Sequence, residues 1–497
     1  MKYPALVACL IFVGWLLKKD QEASPRFSKA FWVPMVWFLY CTTRPLVEWF
    51  QPGSIFTATD AGGVESGSML DRNFNILLSI AGLIILQKRR INWAQTIKNN
   101  GWLFVLFVYM LVSILWSDFP FISFKRWFRT AGPVIMALVI LSEASPCEAM
   151  HAILRRTVYI VIPFSVLLVK YFPQLGVQFG RWSGEPMYAG ATINKNTLGE
   201  VCAIALFLTV WTFIAKRDGK IVGPIGSQRG LTAVFLFLIF YLMKGPSGYG
   251  AVGANYSATS IAVLFIALGV FLTLLRFKAH LAHLGRWLAF GLVGCGVVVL
   301  AMKMVDISPM SIVAQVLGRD PTLTGRKDLI WDVLLPMALQ HPAVGQGYGS
   351  FWIRPVPGLI LDINEAHNGY LDVFIELGGV GLILLIPVLV AYFRKARNEM
   401  ERDFNWAAFR ISFLVMFLLH NCTETTWLRS REILWNLFVF FFVVFPKEWT
   451  GCHLEENVSA DEVPAQVGAA PAVSPVGVTD SVLDHGMVDA EQGLHKC

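Results

Sequence analysis

Long stretches of apolar residues without any charged side chain are the feature that most limits how this chain can fold. No Asp, Glu, Lys or Arg occurs in residues 102–116, 231–243, 259–275 and 433–445. Because lipid cannot pair with backbone groups, a segment that crosses a bilayer has to be a helix or part of a closed barrel. Barrel strands alternate apolar and polar residues over about ten positions, whereas these stretches are continuously apolar. The sequence therefore predicts an all-α, polytopic membrane helix bundle.

The composition supports this fold class. Hydrophobic residues make up 55% of the 497 residues and charged residues only 15%, whereas soluble domains are about 25% charged. One soluble domain, a disordered chain and a fibrous chain are therefore excluded. The net charge of +7 does not indicate nucleic-acid binding, since excess Lys and Arg belong in the cytoplasmic loops of membrane proteins. We expect a lipid bilayer and no nucleic acid among the partners.

The hydropathy pattern predicts about 12–13 spans. A span needs about 20 residues, so the ends of the shorter segments must extend into flanking polar residues. The candidate spans are residues 4–17, 30–41, 74–86, 102–116, 130–142, 153–172, 197–215, 231–243, 259–275, 288–304, 368–393, 407–422 and 433–445.

Lys and Arg predict which loops are cytoplasmic, because these residues are enriched on that side. Alternate loops, beginning with 18–29, carry 21 Lys and Arg in 81 residues, whereas the other set carries 14 in 157. The first set is therefore predicted to be cytoplasmic and the second periplasmic. The periplasmic set comprises residues 42–73, 117–129, 173–196, 244–258, 305–367 and 423–432.

The end of the longest outer loop carries the first candidate site. His367 and Asn368 open a helix on which Asp372 and Glu376 share one face, since residues four apart are neighbours on a helix. The glycines that follow permit close packing or a local break. A histidine above two carboxylates could act as a general base. The alternative is a helix cap with an interfacial histidine.

The same loop contains a second candidate site at Arg326 and Lys327. They precede an amphipathic stretch that is typical of a helix lying along the membrane surface. Arg326 could bind a phosphate through two parallel hydrogen bonds. The alternative is that both side chains only meet lipid headgroups.

Two further polar clusters lie in the predicted outer loops. Arg181 lies near the start of a span that Asn194 or Asn196 would cap, so an anion could bind there. Glu424 lies near Arg429 and Arg431, for which an internal ion pair is the simpler account.

These motifs resemble those of the O-antigen ligase and O-antigen polymerase superfamily, which includes exopolysaccharide polymerases. The ligase signature His-[Asn/Ser/Gln]-x9-Gly-x-x-Gly is matched from His367 to Gly381. Glu424 followed by Trp435 is similar to the end of exopolysaccharide polymerases. The upstream Gly-Arg…Trp…His-Pro-x-x-Gly-x-Gly-x-x-x-Phe element is matched at Gly325, Arg326, Trp331, His341, Pro342, Gly345, Gly347 and Phe351.

The resemblance implies a GT-C-like inner-membrane enzyme with a periplasmic active site that moves or polymerises undecaprenyl-diphosphate-linked glycan. The acceptor would be another glycan or lipid A-core, and polysaccharide assembly and export proteins would be partners. Arg326 and Arg181 would bind the diphosphate, and His367 would be the catalytic residue. No metal and no cofactor are expected. The supporting residues would be Asn368, Asp372, Glu376, Glu424 and Lys327.

One position departs from the pattern of many relatives. They carry an Arg in a Ser-Arg-[Gly/Thr]-Ala element, and the matching place here reads Ser257-Ala258-Thr259-Ser260. The loss of one such electrostatic donor costs about 3 kcal/mol in a transition state. Arg181 would then substitute for it, or activity would be altered.

The resemblance also divides the chain. We expect N-terminal membrane helices in residues 1–170, a ligase- and polymerase-like region in residues 171–445, and a disordered cytoplasmic tail in residues 446–497. A lipid-linked oligosaccharide flippase or polysaccharide transporter without transferase chemistry is the alternative function. A non-catalytic assembly subunit is the third.

Overall fold

The apolar segments form helices that pack around one another. A computed structural model describes residues 2–51, 68–89, 91–179, 184–216, 223–246, 256–278, 330–353, 356 and 364–445. Within these residues the chain is almost entirely helical, and the only β-structure is a two-stranded antiparallel pair. The all-α polytopic bundle is therefore confirmed.

The helices and strands are numbered in chain order. The N-terminal helices are α1 Lys2–Ala23, α2 Trp32–Thr42, α3 Leu46–Phe50, α4 Met69–Lys88, α5 Trp93–Asn99, α6 Gly101–Val112, α7 Pro120–Thr130, α8 Gly132–Leu141 and α9 Pro146–Tyr171. The remaining elements are α10 Pro173–Gly176, β1 Val177–Phe179, β2 Pro186–Tyr188, α11 Lys195–Ala215, α12 Gly223–Ser227, α13 Arg229–Lys244, α14 Ala258–Arg276, α15 Asp332–Ala338, α16 Gly369–Glu399, α17 Phe404–His420 and α18 Ile433–Val443.

Fewer helices are long enough to cross a membrane than the apolar segments suggest. Among the described residues, α4, α9, α11, α14 and α16 are long and apolar enough, and a bent pair formed by α5 and α6 brings the number to six. The candidate span 288–304 lies outside the described residues. Several of the other predicted spans correspond to helices of 10–17 residues, such as α8 and α18. The described residues alone therefore do not reach the predicted 12–13 spans.

Burial explains why short helices were counted as spans. All 11 residues of α18 are buried, because the helix is enclosed by α2, α8, α11 and α17. Its one polar side chain, Asn436, accepts a hydrogen bond from the indole nitrogen of Trp37 at 2.9 Å. A helix enclosed by protein is apolar on every face, as a lipid-facing span is. Hydropathy alone cannot separate the two.

The loops predicted to be cytoplasmic contact one another through buried ion pairs. Asp20 accepts hydrogen bonds from Arg155 and Arg156, each at 2.8 Å. Arg89 pairs with Glu143 at 2.9 Å, and the Ser28 hydroxyl donates to the same carboxylate. These contacts place three of the predicted cytoplasmic loops, 18–29, 87–101 and 143–156, on one face of the bundle.

A break in α16 at Gly378 brings the glycine run of this helix into contact with the glycine-containing segment 341–349. Gly378 has φ of 64°, and a Cβ there would lie 2.3 Å from the carbonyl oxygen of Ala343. Backbone hydrogen bonds run from Gly379 N to Pro342 O and from Gly347 N to Glu376 O, at 2.8 and 3.0 Å. The expected close packing and local break are both present. Segment 341–349 is therefore fixed against the outer end of α16.

The packing of α8 gives a stability prediction. A Cβ at Gly132 would lie 2.2 Å from the ring of buried Trp37, whereas a Cβ at Gly101 has no heavy atom within 4 Å. We expect Gly132→Ala to lower the free energy of unfolding by about 1–3 kcal/mol through overpacking. Gly101→Ala, also at the start of a helix, should change it little. Thermal unfolding of both variants in detergent measures the difference, and equal stabilities would contradict this packing.

Candidate active site

A cavity of ≈ 260 Å³ lies where the predicted outer loops meet. Its walls come from five of the six loops that were predicted to be periplasmic and from the first turns of α16. The lining residues fall within segments 41–45, 126–130, 193–197, 348–349, 364–376 and 427–432. Segments that are far apart in sequence but were assigned to one side of the membrane thus share one cavity. We call it the outer cavity.

His367 lies beside this cavity in a strained backbone conformation. Its φ is 48°, which is uncommon for a residue other than glycine. Its Nδ1 lies 2.9 Å from a carboxylate oxygen of Glu365 and 3.2 Å from one of Glu424. The other oxygen of Glu424 accepts a hydrogen bond from the Asn196 amide at 3.0 Å. Strain of this kind persists only where the surroundings fix it, and it is common at functional sites.

The two carboxylates determine the protonation of His367. Burial lowers the pKa of its imidazole, but Glu365 and Glu424 outweigh burial and raise the pKa to about 10. At neutral pH the side chain is therefore an imidazolium. It can act as a base only after it has released a proton.

Asp372 holds the loop of His367 in place. One carboxylate oxygen accepts from the indole nitrogen of Trp352 at 2.8 Å. The other accepts from the backbone N–H of Ala366 at 3.1 Å and from the Thr425 hydroxyl at 2.5 Å. A guanidinium nitrogen of Arg429 lies 3.7 Å from the same oxygen. The Asp372 carboxylate thus joins the residues before His367 to the loop that carries Glu424.

The start of α16 is fixed by caps as well. The Asn368 side chain accepts hydrogen bonds from the backbone N–H groups of Tyr370 and Leu371, both at 3.1 Å. The backbone N–H of Gly369 donates to the carbonyl of Asn421 at 2.9 Å. Asn368 is therefore the helix cap, and His367 is free of that role.

Four arginines line the outer cavity: Arg126, Arg129, Arg429 and Arg431. Arg126 donates to the carbonyl of Gly349 at 2.8 Å. Arg431 donates to the carbonyl of Thr43 at 3.1 Å and lies over the ring of Tyr40. Guanidinium groups at such density favour an anionic ligand.

Glu432 adds a titratable group to the same cavity. Burial and the nearby Glu365 raise the pKa of its carboxyl to about 8, although Arg429 and Arg431 oppose the change. When Glu432 is protonated, the four arginines outnumber the three other carboxyl groups that line the cavity, those of Glu365, Asp372 and Glu376.

Glu365, His367 and Glu424 are also the one three-residue group, among the described residues, whose geometry could hold a metal ion. Their donor atoms lie within 4.8 Å of one another. A metal would require neutral His367, whereas the adjacent carboxylates favour its protonated form. As it stands, the group is a hydrogen-bonded ionic cluster.

The structure brings most of the described candidate residues together. Asp372 and Glu376 both line the outer cavity, and so does Glu365, which His367 contacts. His367 also contacts Glu424, and Asn368 is the next residue in the chain. Arg326, Lys327 and Arg181 lie outside the described residues. Asn194, rather than Asn196, caps α11, since its side chain accepts from the backbone N–H of Thr197 at 2.9 Å.

The Ser257-Ala258-Thr259-Ser260 element, which differs from the pattern of many relatives, also lies close to this site. Ser257 caps α14, and the Thr259 hydroxyl accepts a hydrogen bond from Thr423 at 3.1 Å. Thr423 directly precedes Glu424. The missing arginine would therefore have belonged to the neighbourhood of the cluster.

Sequence reasoning missed Glu365, Glu432, Arg126 and Arg129. Glu365 is only two residues from His367, and the two arginines occur at i, i+3 in the outer loop 117–129. A search for charged residues across all predicted outer loops would have found them.

The fold and the cavity define a multi-pass helical membrane protein with a charged site on one face. Residues 247–386 match the family model described as O-antigen ligase. The chain is 25% identical over 335 residues to the "Exopolysaccharide production protein ExoQ" of Rhizobium meliloti, covering 65% of this chain and 70% of that protein. It is 22% identical over 258 residues to a "Putative polysaccharide ligase" of Rickettsia conorii, covering 49% of this chain and 57% of that protein.

The chain is therefore similar to members of the O-antigen ligase and polymerase superfamily, and these matches support that superfamily for the region that includes residues 247–386. It is a membrane enzyme of polysaccharide biosynthesis.

The ionic cluster predicts a pH-dependent stability. Folded His367 keeps its proton up to about pH 10, whereas an unfolded histidine releases it near pH 6.5. The stabilisation is thus complete below pH 6.5 and is lost as the pH rises through 10. Relative to His367→Gln, wild type should lose stability over this window, by about 5 kcal/mol at most, because one pKa unit corresponds to about 1.4 kcal/mol.

Thermal unfolding of wild type and His367→Gln across that pH range measures the effect. His341→Gln is the matched control, because His341 is exposed. The same pH dependence in all three proteins would contradict the raised pKa of His367.

Proposed function

We propose that this protein transfers or polymerises undecaprenyl-diphosphate-linked oligosaccharide at the outer cavity. The observation that carries the proposal is that four arginines and Glu365 line one cavity, and that Glu365 contacts His367, which in turn contacts Glu424. The arginines suit a diphosphate, and the cluster suits the handling of a hydroxyl proton.

The four arginines that line the outer cavity, which we call the arginine wall, would bind the donor diphosphate. Arg126, Arg129, Arg429 and Arg431 line the cavity from α7 and from the loop before α18. They would supply the charge that is absent at Ala258. Arg326 and Arg181, with Lys327, stay in the proposal as further diphosphate ligands. Because these cations can stabilise the leaving diphosphate, the proposed transfer needs no metal ion.

The proposed reaction is a displacement at the anomeric carbon of the donor glycan. The oxygen of an acceptor hydroxyl forms the new bond to this carbon, and the bond from the carbon to the diphosphate oxygen breaks. Undecaprenyl diphosphate leaves with the electron pair. The hydroxyl proton passes to neutral His367, which Glu365 and Glu424 stabilise as an imidazolium. Asp372, Glu376 and Asn368 would position these groups.

A polymerase is the preferred form of this activity. Glu424 and Trp435 match the end of exopolysaccharide polymerases, and the similarity to an exopolysaccharide production protein extends over 335 residues. The acceptor would then be the next lipid-linked repeat. The other form of the proposal is a ligase that uses lipid A-core as the acceptor. The experiment below distinguishes it from the polymerase.

The flippase alternative is less well supported. It would be favoured by Asp372 and Glu200 facing one continuous path through the bundle. Asp372 lines the outer cavity, whereas Glu200 is buried and lies 3.4 Å from His420. We therefore prefer transfer chemistry.

The proposed setting is the bacterial inner membrane with the outer cavity facing the periplasm. The low density of Lys and Arg in the loops that form the cavity supports this orientation. Residues 1–170 would form a first set of helices and residues 171–445 the catalytic region, with polysaccharide assembly and export proteins as partners. The proposed disordered cytoplasmic tail, residues 446–497, lies outside the described residues.

The central test replaces His367. A deletion strain complemented with His367→Ala should contain the protein in its membrane but make no finished glycan, because the acceptor hydroxyl keeps its proton. Gel analysis of glycan and of lipid-linked intermediates reads the outcome. Accumulation of single lipid-linked repeats identifies a polymerase, and accumulation of full-length lipid-linked polymer identifies a ligase.

Two controls accompany this test. Glu424→Gln should lower transfer by about 100-fold, which corresponds to a loss of about 3 kcal/mol in transition-state stabilisation. Glu22→Gln is the matched control and should not lower transfer, because Glu22 is exposed in a loop predicted to be cytoplasmic. Wild-type transfer in membranes should continue in EDTA. Wild-type amounts of finished glycan from His367→Ala, with no build-up of lipid-linked intermediates, would overturn the catalytic role and favour a transporter or an assembly subunit.

The arginine wall predicts how donor binding changes. Arg129→Gln should weaken binding of undecaprenyl diphosphate by about 10- to 100-fold, because a charged hydrogen bond contributes about 1.5–3 kcal/mol. Lys98→Gln, on α5 in a predicted cytoplasmic loop, is the control. Titration of the purified proteins in detergent gives both dissociation constants. Equal constants for both variants would remove Arg129 from the diphosphate site.

A further inference from the structure

Two contacts fix the guanidinium of Arg431 at the wall of the outer cavity. One is the face of the buried Tyr40 ring, whose centroid lies 4.5 Å from the guanidinium carbon. The other is the backbone carbonyl of Thr43, which accepts a hydrogen bond from the guanidinium at 3.1 Å. Neither an aromatic ring nor a carbonyl carries a net charge. These contacts therefore hold the guanidinium without neutralising it.

Both contacts depend on one buried carboxylate, that of Asp71 in the first turn of α4. One of its oxygens accepts a hydrogen bond from the Tyr40 hydroxyl at 2.9 Å and another from the backbone N–H of Leu46 at 2.8 Å. Its second oxygen accepts from the backbone N–H of Val47 at 3.2 Å. Because Leu46 and Val47 open α3, Asp71 also holds the segment that carries the Thr43 carbonyl.

The location of Asp71 makes this arrangement costly. Helix α4 is long and apolar enough to cross a membrane, and a charge within such a helix is expensive to bury. Hydrogen-bond donors offset that cost, and the Ser68 hydroxyl adds a further one at 2.8 Å. The other donors come from α2 and from the start of α3, the two elements that flank Thr43. The carboxylate thus serves the two supports of Arg431.

The Asp71 carboxylate also strengthens the contact between Tyr40 and Arg431. A cation is attracted to the face of an aromatic ring by the negative charge of its π system. When the Tyr40 hydroxyl donates to a carboxylate, the ring becomes richer in electrons and attracts the guanidinium more strongly. Arg429, by comparison, lies 3.7 Å from the carboxylate of Asp372, which offsets part of its charge.

We propose that Tyr40 and Asp71 are positioning residues, which hold Arg431 toward a diphosphate in the outer cavity and leave its charge uncompensated. This inference rests on the proposed function, which supplies a lipid-linked diphosphate as the donor. Tyr40 and Asp71 act only through Arg431 and touch neither the donor nor the acceptor. They assign α2 and the start of α4 to the support of the diphosphate site.

The first test measures binding of undecaprenyl diphosphate to the full chain in detergent. Tyr40→Leu removes the ring face and should weaken binding about tenfold, within the range of a partly desolvated cation–π contact. Tyr40→Phe keeps the ring but loses the hydrogen bond to Asp71, so it should weaken binding only about threefold. Tyr392→Leu is the matched control and should leave binding unchanged. Tyr392 is also buried and lies under an arginine, Arg410, but it does not line the outer cavity.

The second test repeats these measurements in an Arg431→Gln background. Tyr40→Leu should then weaken binding by less than a further twofold, because its effect passes through the missing guanidinium. Asp71→Asn should weaken binding about threefold in wild type and change it little in this background. Tyr40→Phe and Asp71→Asn remove almost no packing volume, so they decide the matter even if Tyr40→Leu fails to fold. The same loss of affinity in both backgrounds would show general damage to packing and would overturn the inference.

The failure of this inference differs from the failure of the proposed function. If Arg431→Gln weakens binding but the Tyr40 and Asp71 variants do not, the diphosphate site stands and the positioning roles are wrong. If Arg431→Gln binds as wild type does, Arg431 is not a ligand and the inference is wrong, while the other arginines keep the donor site. If wild type does not bind undecaprenyl diphosphate, the proposed donor is wrong and the inference falls with it.

Discussion

The break of α16 at Gly378 is the constraint on which the site depends. A side chain at this position would collide with the backbone of Ala343, and its φ of 64° suits glycine. The break frees backbone groups that segment 341–349 then satisfies, through Gly379 N to Pro342 O and Gly347 N to Glu376 O. Because the first two turns of α16 carry Asp372 and Glu376, their position in the outer cavity follows from this contact. The glycine run at Gly378 and segment 341–349 therefore form one packed unit.

From that unit, a chain of hydrogen bonds extends to His367. Asp372 binds the residue before His367 and the loop that carries Glu424, and it does so while buried. A buried carboxylate is stable only when its oxygens are paired, so the three donors and Arg429 are a requirement for folding as much as for function. The strained φ of His367 is held by the same contacts.

Much of this arrangement was predictable, because local patterns determine it. The helix face of Asp372 and Glu376, the break in the glycine run and the grouping of five outer loops all follow from periodicity and from Lys and Arg density. Only the resemblance linked Glu424 with His367, and Glu365 and the contact of Asn196 were not predicted, since Glu424 lies 57 residues from His367 and Asn196 lies 228 residues from Glu424. Arg126 and Arg129 were not predicted as site residues, because an amphipathic helix with basic residues resembles any interfacial helix. Such contacts arise from tertiary packing, which no local pattern encodes.

The raised pKa of His367 has two opposite effects on the proposed proton transfer. A pKa of about 10 makes the neutral base rare at pH 7, but a base of that strength accepts a proton more readily when it forms. A diphosphate on the arginine wall adds negative charge near the imidazole and favours its cation further. The proton taken from the acceptor would therefore remain on His367 for as long as the diphosphate remains bound. Departure of undecaprenyl diphosphate would remove that charge and bring the pKa of His367 back to about 10, so that the imidazolium gives up its proton more readily but stays the main form at neutral pH.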